Sequence, residues 1–275
     1  MNKMILYILI AALFRTVDTF IDKVLTQKGI SRFDYFFYMC VSMLPFAAVM
    51  MLYEPLKMKL ELFPLMLLAL AALLRYYQQH AVVGMVRKLE PYQYQTYLTM
   101  GLVITYLIDC YLGTRILGWQ SVVSVVLVLG GVSLIGNFRF EYNSLNKDIV
   151  IRILCGILQG YVTFYILKYW SNAFYIFSLN FVLTVPFIKK YCSEEHHNRT
   201  EIIKWVFLQQ AFGFVAVYLT NSLMAKSVTV GIYVVPVAIV MAFLFSFFKN
   251  YSGKRFVAKD ALAVAMVTIG VLLLK

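Results

Sequence analysis

Apolar runs long enough to cross a bilayer recur from one end of the chain to the other, and no other feature restricts the fold as much. Crossing hydrocarbon about 30 Å thick takes about 20 residues of helix. Inside it every backbone N–H and C=O must find a partner within the protein, so only helices and closed barrels span. A barrel would alternate apolar and polar residues in segments of about 10. Stretches such as "MLLALAALL" (66–74) and "VVSVVLVLGGV" (122–132) do not alternate. Of 275 residues, 62% are hydrophobic and 14% charged, too few charges to cover a soluble surface. The expected fold class is an all-α integral membrane protein with the lipid bilayer as its surroundings. The formal charge of +12 invites a nucleic-acid reading. However, the basic residues lie in short gaps between apolar runs, without an RNP, zinc-finger or basic-helix signature. Topology and anionic headgroups account for them, and no nucleic-acid partner is expected.

Ten helices are expected, near 4–25, 34–53, 62–84, 91–112, 119–136, 149–169, 172–188, 202–224, 228–248 and 256–274. Lys3 and the apolar run after it also have the shape of a signal peptide. An uncleaved first helix is preferred, because residues 15–23 take part in a repeat. "RTVDTFIDK" (15–23) can be laid over "QGYVTFYILK" (159–168), pairing Arg15 with Gln159, Thr19 with Thr163 and Phe20 with Phe164. "LPF" at 44–46 answers "VPF" at 185–187, and "GGVSLI" (130–135) answers "IGVLLL" (269–274). The chain therefore divides into halves 1–137 and 138–275, one compact membrane domain of two five-helix repeats. An odd number of helices per half gives the halves opposite orientation, an arrangement typical of secondary transporters with a midplane site between repeats.

Two five-helix halves, short loops and a fifth helix ending in a Gly-Val-aliphatic run resemble the drug/metabolite transporter superfamily, in its ten-helix EamA-type branch. The resemblance covers the whole chain. It implies a central cavity lined by helices 1, 3, 4, 6, 8 and 9, with helices 5 and 10 peripheral. The chain departs from the family in "YLGTRILGWQ" and "YSGKRFVAKD", which lack the usual acidic residue after helices 4 and 9, and in a more charged helix 1.

Helix 1 poses the sharpest chemical question. Arg15, Asp18 and Asp22 fall on one helical face with Thr19 beside them, opposite Val17, Phe20, Ile21 and Val24. A charge at mid-bilayer costs about 2.5–3.5 kcal/mol on insertion scales, so this face meets a partner or a wet cavity. The alternative is an internal Arg15–Asp18 salt bridge, and Asp22, beside Lys23, suits an interfacial position as well. Helix 3 carries "LLRYYQQHAV", with Arg75, Gln78 and Gln79 on one face and Tyr76 and His80 on the next. In helix 4, Tyr92, Gln95, Thr96 and Thr99 form a stripe. Gln159, Thr163, Gln210, Asn221 and Tyr233 are the polar candidates of the second half.

The expected substrate-binding set is thus Arg15, Asp18, Thr19, Arg75, Gln78, Gln79, Tyr92, Gln95, Thr99, Gln159, Thr163, Gln210, Asn221 and Tyr233. Asp18, Asp22 and His80 are candidates for proton coupling, although a lone histidine often only packs. The four cysteines (Cys40, Cys110, Cys155, Cys192) are scattered, and "CSEEHHNRT" reads better as a solvated loop than as a ligand set. No cofactor or metal is expected, beyond a coupling proton or sodium ion.

The function expected is a secondary transporter of a small zwitterionic or anionic metabolite, an amino acid or an organic phosphate, and not an enzyme. A flippase for a phosphate-bearing lipid carrier is the first rival, and a multipass membrane transferase the second. The transferase would need clustered acids or histidines near an interface, which the sequence does not offer. Monomer and homodimer are both compatible with this reading. Lys57, Lys59, Arg115 and Lys226 would share one side with both termini, and the more numerous remaining basic residues the other. The positive-inside rule then puts the termini outside a bacterial cytoplasmic (inner) membrane.

Overall fold

A computed structural model describes residues 3–89, 91–115, 118–136, 144–193, 199–248 and 258–273, and every regular element among them is a helix. In chain order these are α1 (Lys3–Gln27), α2 (Arg32–Met51), α3 (Leu62–Lys88), α4 (Pro91–Thr99), α5 (Gly101–Tyr111), α6 (Trp119–Gly136) and α7 (Ser144–Ile166). There follow α8 (Asn172–Thr184), a 3-10 turn (Val185–Phe187), α9 (Ile188–Ser193), α10 (Arg199–Met224), α11 (Val228–Ile232), α12 (Val234–Phe248) and α13 (Ala258–Leu272). Among the described residues six segments are long and apolar enough to cross a membrane: Lys3–Gln27, Arg32–Met51, Lys147–Ile166, Asn172–Ser193, Thr200–Met224 and Val228–Phe245. α3 is 27 residues long, but its polar "RYYQQH" stretch dilutes its apolar character.

Local chemistry sets the helix limits. Gly29, at φ +78°, turns the chain out of α1. Ser31 then caps α2, its side chain accepting from Asp34 N at 2.9 Å. Three expected helices are broken. The segment at 91–112 is split into α4 and α5 at Met100, and that at 228–248 into α11 and α12 at Tyr233. Pro186 tightens the third into a 3-10 turn between α8 and α9, since proline lacks the N–H that a continuous α-helix uses there. Pro45 sits inside α2 without ending it.

α1 packs on α10 and α12, α3 on α7, α2 on α8, α4 on α12, and α6 on α13. The match of residues 15–23 with 159–168 leads one to expect helix 1 near helix 6, here α7; α1 packs mainly on α10 and α12 instead, with Ala11 and Ala12 fully buried. One apolar core joins α1 (Ile8), α6 (Val128), α12 (Ile239) and α13 (Val267); a second joins α2 (Phe36), α3 (Ala71), α7 (Ile166) and α8 (Tyr175). Large apolar residues such as Met66, Leu73, Leu154 and Phe207 point outward, as lipid contact requires.

The α6–α13 seam is very close. A methyl group added at Gly131 would lie 2.6 Å from the Ala263 carbonyl oxygen, and one at Gly270 would lie 2.9 Å from that of Ser124. Ser124 Oγ donates to the Gly270 carbonyl at 2.5 Å and meets the Tyr233 hydroxyl at 2.7 Å, tying α6, α13 and the start of α12. Small residues permit this approach, and without a hydrophobic force between helices in lipid, close packing supplies the attraction.

Candidate functional site

A cavity of about 160 Å³ opens between the two cores. Its polar wall carries three arginines, Arg15 from α1, Arg75 from α3 and Arg152 from α7, and no aspartate or glutamate lines it among the described residues. Arg152 opens a stripe on α7, Arg152–Gly156–Gln159–Gly160–Thr163, whose spacing keeps one face toward the cavity. Gly160 holds α7 against Val228 at the start of α11, where an added methyl would come within 2.7 Å of its side chain. The remaining wall is apolar, from residues such as Met43, Ile157 and Val234. α2 and α8 therefore contribute as well as the helices expected, while no described residue of α6 or α13 does.

The arginines are only partly engaged. With its oxygen turned toward Arg75, the Gln79 amide accepts two bonds from that guanidinium, at 2.8 and 3.0 Å. Nε of Arg15 and of Arg152 are buried without a hydrogen-bond partner among the described residues, as is the amide nitrogen of Gln78. Arg75 lies in the electrostatic field of Arg15, Arg152 and Asp18. Across from it, Gln159 Nε2 donates to the Tyr175 hydroxyl at 2.7 Å, and that hydroxyl also meets Thr163 Oγ1 at 3.2 Å. The amide oxygen of Gln159 and the hydroxyl of Thr220 have no partners among the described residues. Buried polar groups are normally bonded, so this concentration of spare donors and acceptors marks the cavity as a place for a polar guest.

The expected residues divide by location. Arg15, Arg75, Gln78, Gln159, Thr163 and Asn221 line the cavity. Gln79 stands behind Arg75. Thr19 and Gln95 tie α1 to α4, the amide donating to the hydroxyl at 2.6 Å. Thr99 and Gln210 are buried outside the lining, and Tyr233 is held by Ser124. The side chain of Tyr92 lies outside the described residues, as does the loop 194–198. His80 packs its ring 4.4 Å from that of Tyr76.

Asp18 and Asp22 belong to a cluster behind the cavity. No ion pair joins Arg15 to Asp18 among the described residues; the Asp18 carboxylate rests against Gly213 of α10, with Oδ1 buried and unbonded. Asp22 is buried within the bundle. It is 6% exposed and accepts from the Tyr35 hydroxyl and from Gln209 Nε2, linking α1, α2 and α10.

Two further carboxylates fasten the end of the bundle where α5 finishes and α11 begins. Asp109 is 1% exposed and accepts from Ser227 Oγ at 2.6 Å, Thr229 N at 2.8 Å and the Tyr161 hydroxyl at 3.1 Å. It thereby joins α5, α7 and α11. Glu54, just past α2, accepts from the backbone nitrogens of Asn172 (3.1 Å) and Ala173 (2.7 Å), capping α8 from another element. Beside it Ser171 N donates to the Lys57 carbonyl at 2.7 Å and Trp170 Nε1 to that of Lys59 at 2.8 Å, so residues 54–59 strap across the start of α8. Asn172 in turn accepts at 3.0 Å from the cavity residue Asn221.

Arg152, Tyr175, Asn180 and Asp109 are absent from the sequence-based set. For Arg152 a signal existed: its spacing of 7 and 11 residues from Gln159 and Thr163 is the same helical face.

Together these features define a multipass, all-helical membrane protein with a buried cationic cavity. No protein-family model matches the chain, and no curated protein does. Solved structures do match. One, described only as a crystal structure of a protein, superposes on 99% of this chain and 96% of its own with a TM-score of 0.70 at 12% identity. At that identity the likeness speaks for the fold alone, and it extends over the whole chain.

Proposed function

We propose that this protein is a secondary transporter that moves a small zwitterionic or anionic metabolite by alternating access, on the plan of the EamA-type drug/metabolite transporters. The observation that carries the reading is the cavity itself: three arginines with spare donors, facing amides and hydroxyls, in a chain built to lie in a membrane. Intramembrane ionisable groups facing a cavity mark a substrate or ion pathway. The volume, about 160 Å³, is well below the roughly 300–1,000 Å³ typical of pockets for drug-sized ligands, and suits a small metabolite.

The packing supports ten spans in two inverted halves. Exchanging the first five helical segments for the last five turns α1-on-α10 into α7-on-α3 and α4-on-α12 into α11-on-α5, both of which also occur, and leaves the pairs α2–α8 and α6–α13 unchanged. In this reading the Asp109 clasp and the Glu54 strap hold one end of the pathway shut. The Asp18–Asp22 cluster, two neighbouring carboxylates with no ion pair among the described residues, is the natural carrier of a coupling proton. In this reading the membrane is a bacterial cytoplasmic (inner) membrane, with both termini outside.

Purified protein in liposomes, screened for uptake of labelled metabolites, tests the reading. Uptake that disappears in Arg75→Gln supports it. A well-folded preparation that moves none of a broad set of anions and zwitterions counts against it.

A further inference from the structure

We infer that the cavity takes a small organic dianion, such as a phosphate monoester or a dicarboxylate, and that Arg152 sets this preference. The inference rests on the cavity being the substrate site and narrows the guest from the zwitterions and monoanions that a transporter of this kind would otherwise admit.

Charge balance is the first argument. Arginine keeps its proton in proteins, so three guanidinium charges face the cavity whatever the pH. Arg75 and Arg152 lie in each other's field and repel. The carboxylates that act on these arginines, Asp18 and Asp22, stand behind the cavity and do not line it: Asp18 is turned onto Gly213, and Asp22 is bound by Tyr35 and Gln209. Every formal charge that faces the guest among the described residues is therefore positive, and a dianion offsets more of the three than a monoanion does.

Hydrogen bonding gives the second. Arg152 is 9% exposed and its Nε has no partner among the described residues; the same holds for Nε of Arg15 and the amide nitrogen of Gln78. Spare donors on separate helices, α1, α3 and α7, require a guest with several acceptor oxygens, which a phosphate or a pair of carboxylates supplies. An ammonium group, by contrast, finds no lining carboxylate. Asp109 is committed to Ser227, Thr229 and Tyr161; the spare acceptors that line the cavity are neutral, Gln159 Oε1 and Thr220 Oγ1, and the spare Asp18 Oδ1 faces Gly213 outside the lining. A zwitterion would offset one of the three lining positive charges and add another.

The test is a binding panel on the purified full-length protein in nanodiscs at neutral pH, with glycerol 3-phosphate and succinate as dianions, lactate as monoanion and alanine as zwitterion. At least one dianion should bind about tenfold more tightly than lactate or alanine, a difference easily resolved by calorimetry. Arg152→Gln should erase that preference while changing lactate affinity less than about threefold. Arg152→Lys, which keeps the charge and loses the fork, should restore part of it. Farnesyl phosphate is included because a lipid headgroup offers the same dianion; if it outcompetes glycerol 3-phosphate, the dianion is lipid-borne. The inference is overturned if alanine or lactate binds as tightly as both dianions, if Arg152→Gln weakens every probe alike, or if neither dianion binds. Uptake of the same probes into liposomes separates the two readings. Dianion binding without uptake removes the transporter and keeps the dianion, and alanine uptake without dianion binding does the reverse.

Discussion

Replacing Asp109 by alanine should loosen the bundle more than any other single change to a polar side chain outside the cavity. The carboxylate is the shared acceptor for the Ser227 hydroxyl, the Thr229 backbone N–H and the Tyr161 hydroxyl, and almost none of it is exposed. Alanine strands the Ser227 hydroxyl and the Thr229 N–H in a dry site, at about 1–3 kcal/mol each, while the Tyr161 hydroxyl keeps the Thr105 carbonyl as an acceptor at 3.0 Å. The two share one acceptor oxygen, so the terms do not simply add, and a loss of about 2–5 kcal/mol is expected. Asparagine should behave differently. Its carbonyl oxygen still serves one donor, and a hydroxyl can rotate to accept from the new amide N–H, so the loss is mainly that of charge assistance, about 1–2 kcal/mol. Thermal unfolding in detergent, read by size-exclusion fluorescence, converts these to midpoint shifts. At roughly 2–4 °C per kcal/mol for a large domain, Asp109→Ala should fall by about 4–20 °C and Asp109→Asn by about 2–8 °C. An alanine variant melting within about 2 °C of the parent would show that the clasp contributes nothing measurable, and the argument from stranded donors would fail.

Arg15→Gln and Arg75→Gln should each abolish uptake while insertion and yield hold, because removing a mid-membrane charge lowers the insertion cost. If Arg15→Gln combined with Asp18→Asn still transports, Arg15 only neutralises its neighbour. Asp18→Asn with Asp22→Asn should leave uptake insensitive to an imposed pH gradient; an unchanged response would remove this cluster from the coupling. Gly131→Val should destabilise by about 1–3 kcal/mol, since the added Cβ meets the Ala263 carbonyl, whereas Gly29→Ala is strained through φ alone because nothing crowds it. A reporter fused after Lys275 should be active outside the cell, and cytoplasmic activity would show that the charge count misleads.

Helix positions were largely legible because hydrocarbon allows so few alternatives. Long apolar runs read directly as helices, and Arg75 was conspicuous because it interrupts one. The breaks at Met100 and Tyr233 had no such mark. Arg152 was hidden by position: five residues from Lys147 and next to the helix start, it looked like one more headgroup contact. Only the packing of α7 on α3 turns it inward beside Arg75. Asp109 was passed over for the same reason, since its three partners are 52, 118 and 120 residues away in sequence. Conversely, Tyr233 and Gln95 looked like binding groups because a polar stripe on a membrane helix can serve a neighbouring helix as well as a ligand. Their partners, Ser124 and Thr19, are side chains of the fold.

The seam between α6 and α13 carries a mechanical consequence. Its glycines bring carbonyl oxygens to within reach of the opposite backbone, so neither helix can slide or roll without forcing atoms together. The two come from opposite halves of the chain, and the Ser124 hydroxyl pins them. If the halves rock, this line is their spindle. Displacement then grows with distance from it, and the widest arc belongs to α2 and α8, the pair fastened by Glu54 through the backbone of Asn172 and Ala173. A latch at the rim acts with the longest lever arm, so two hydrogen bonds there can restrain a movement that many contacts near the axis would leave free.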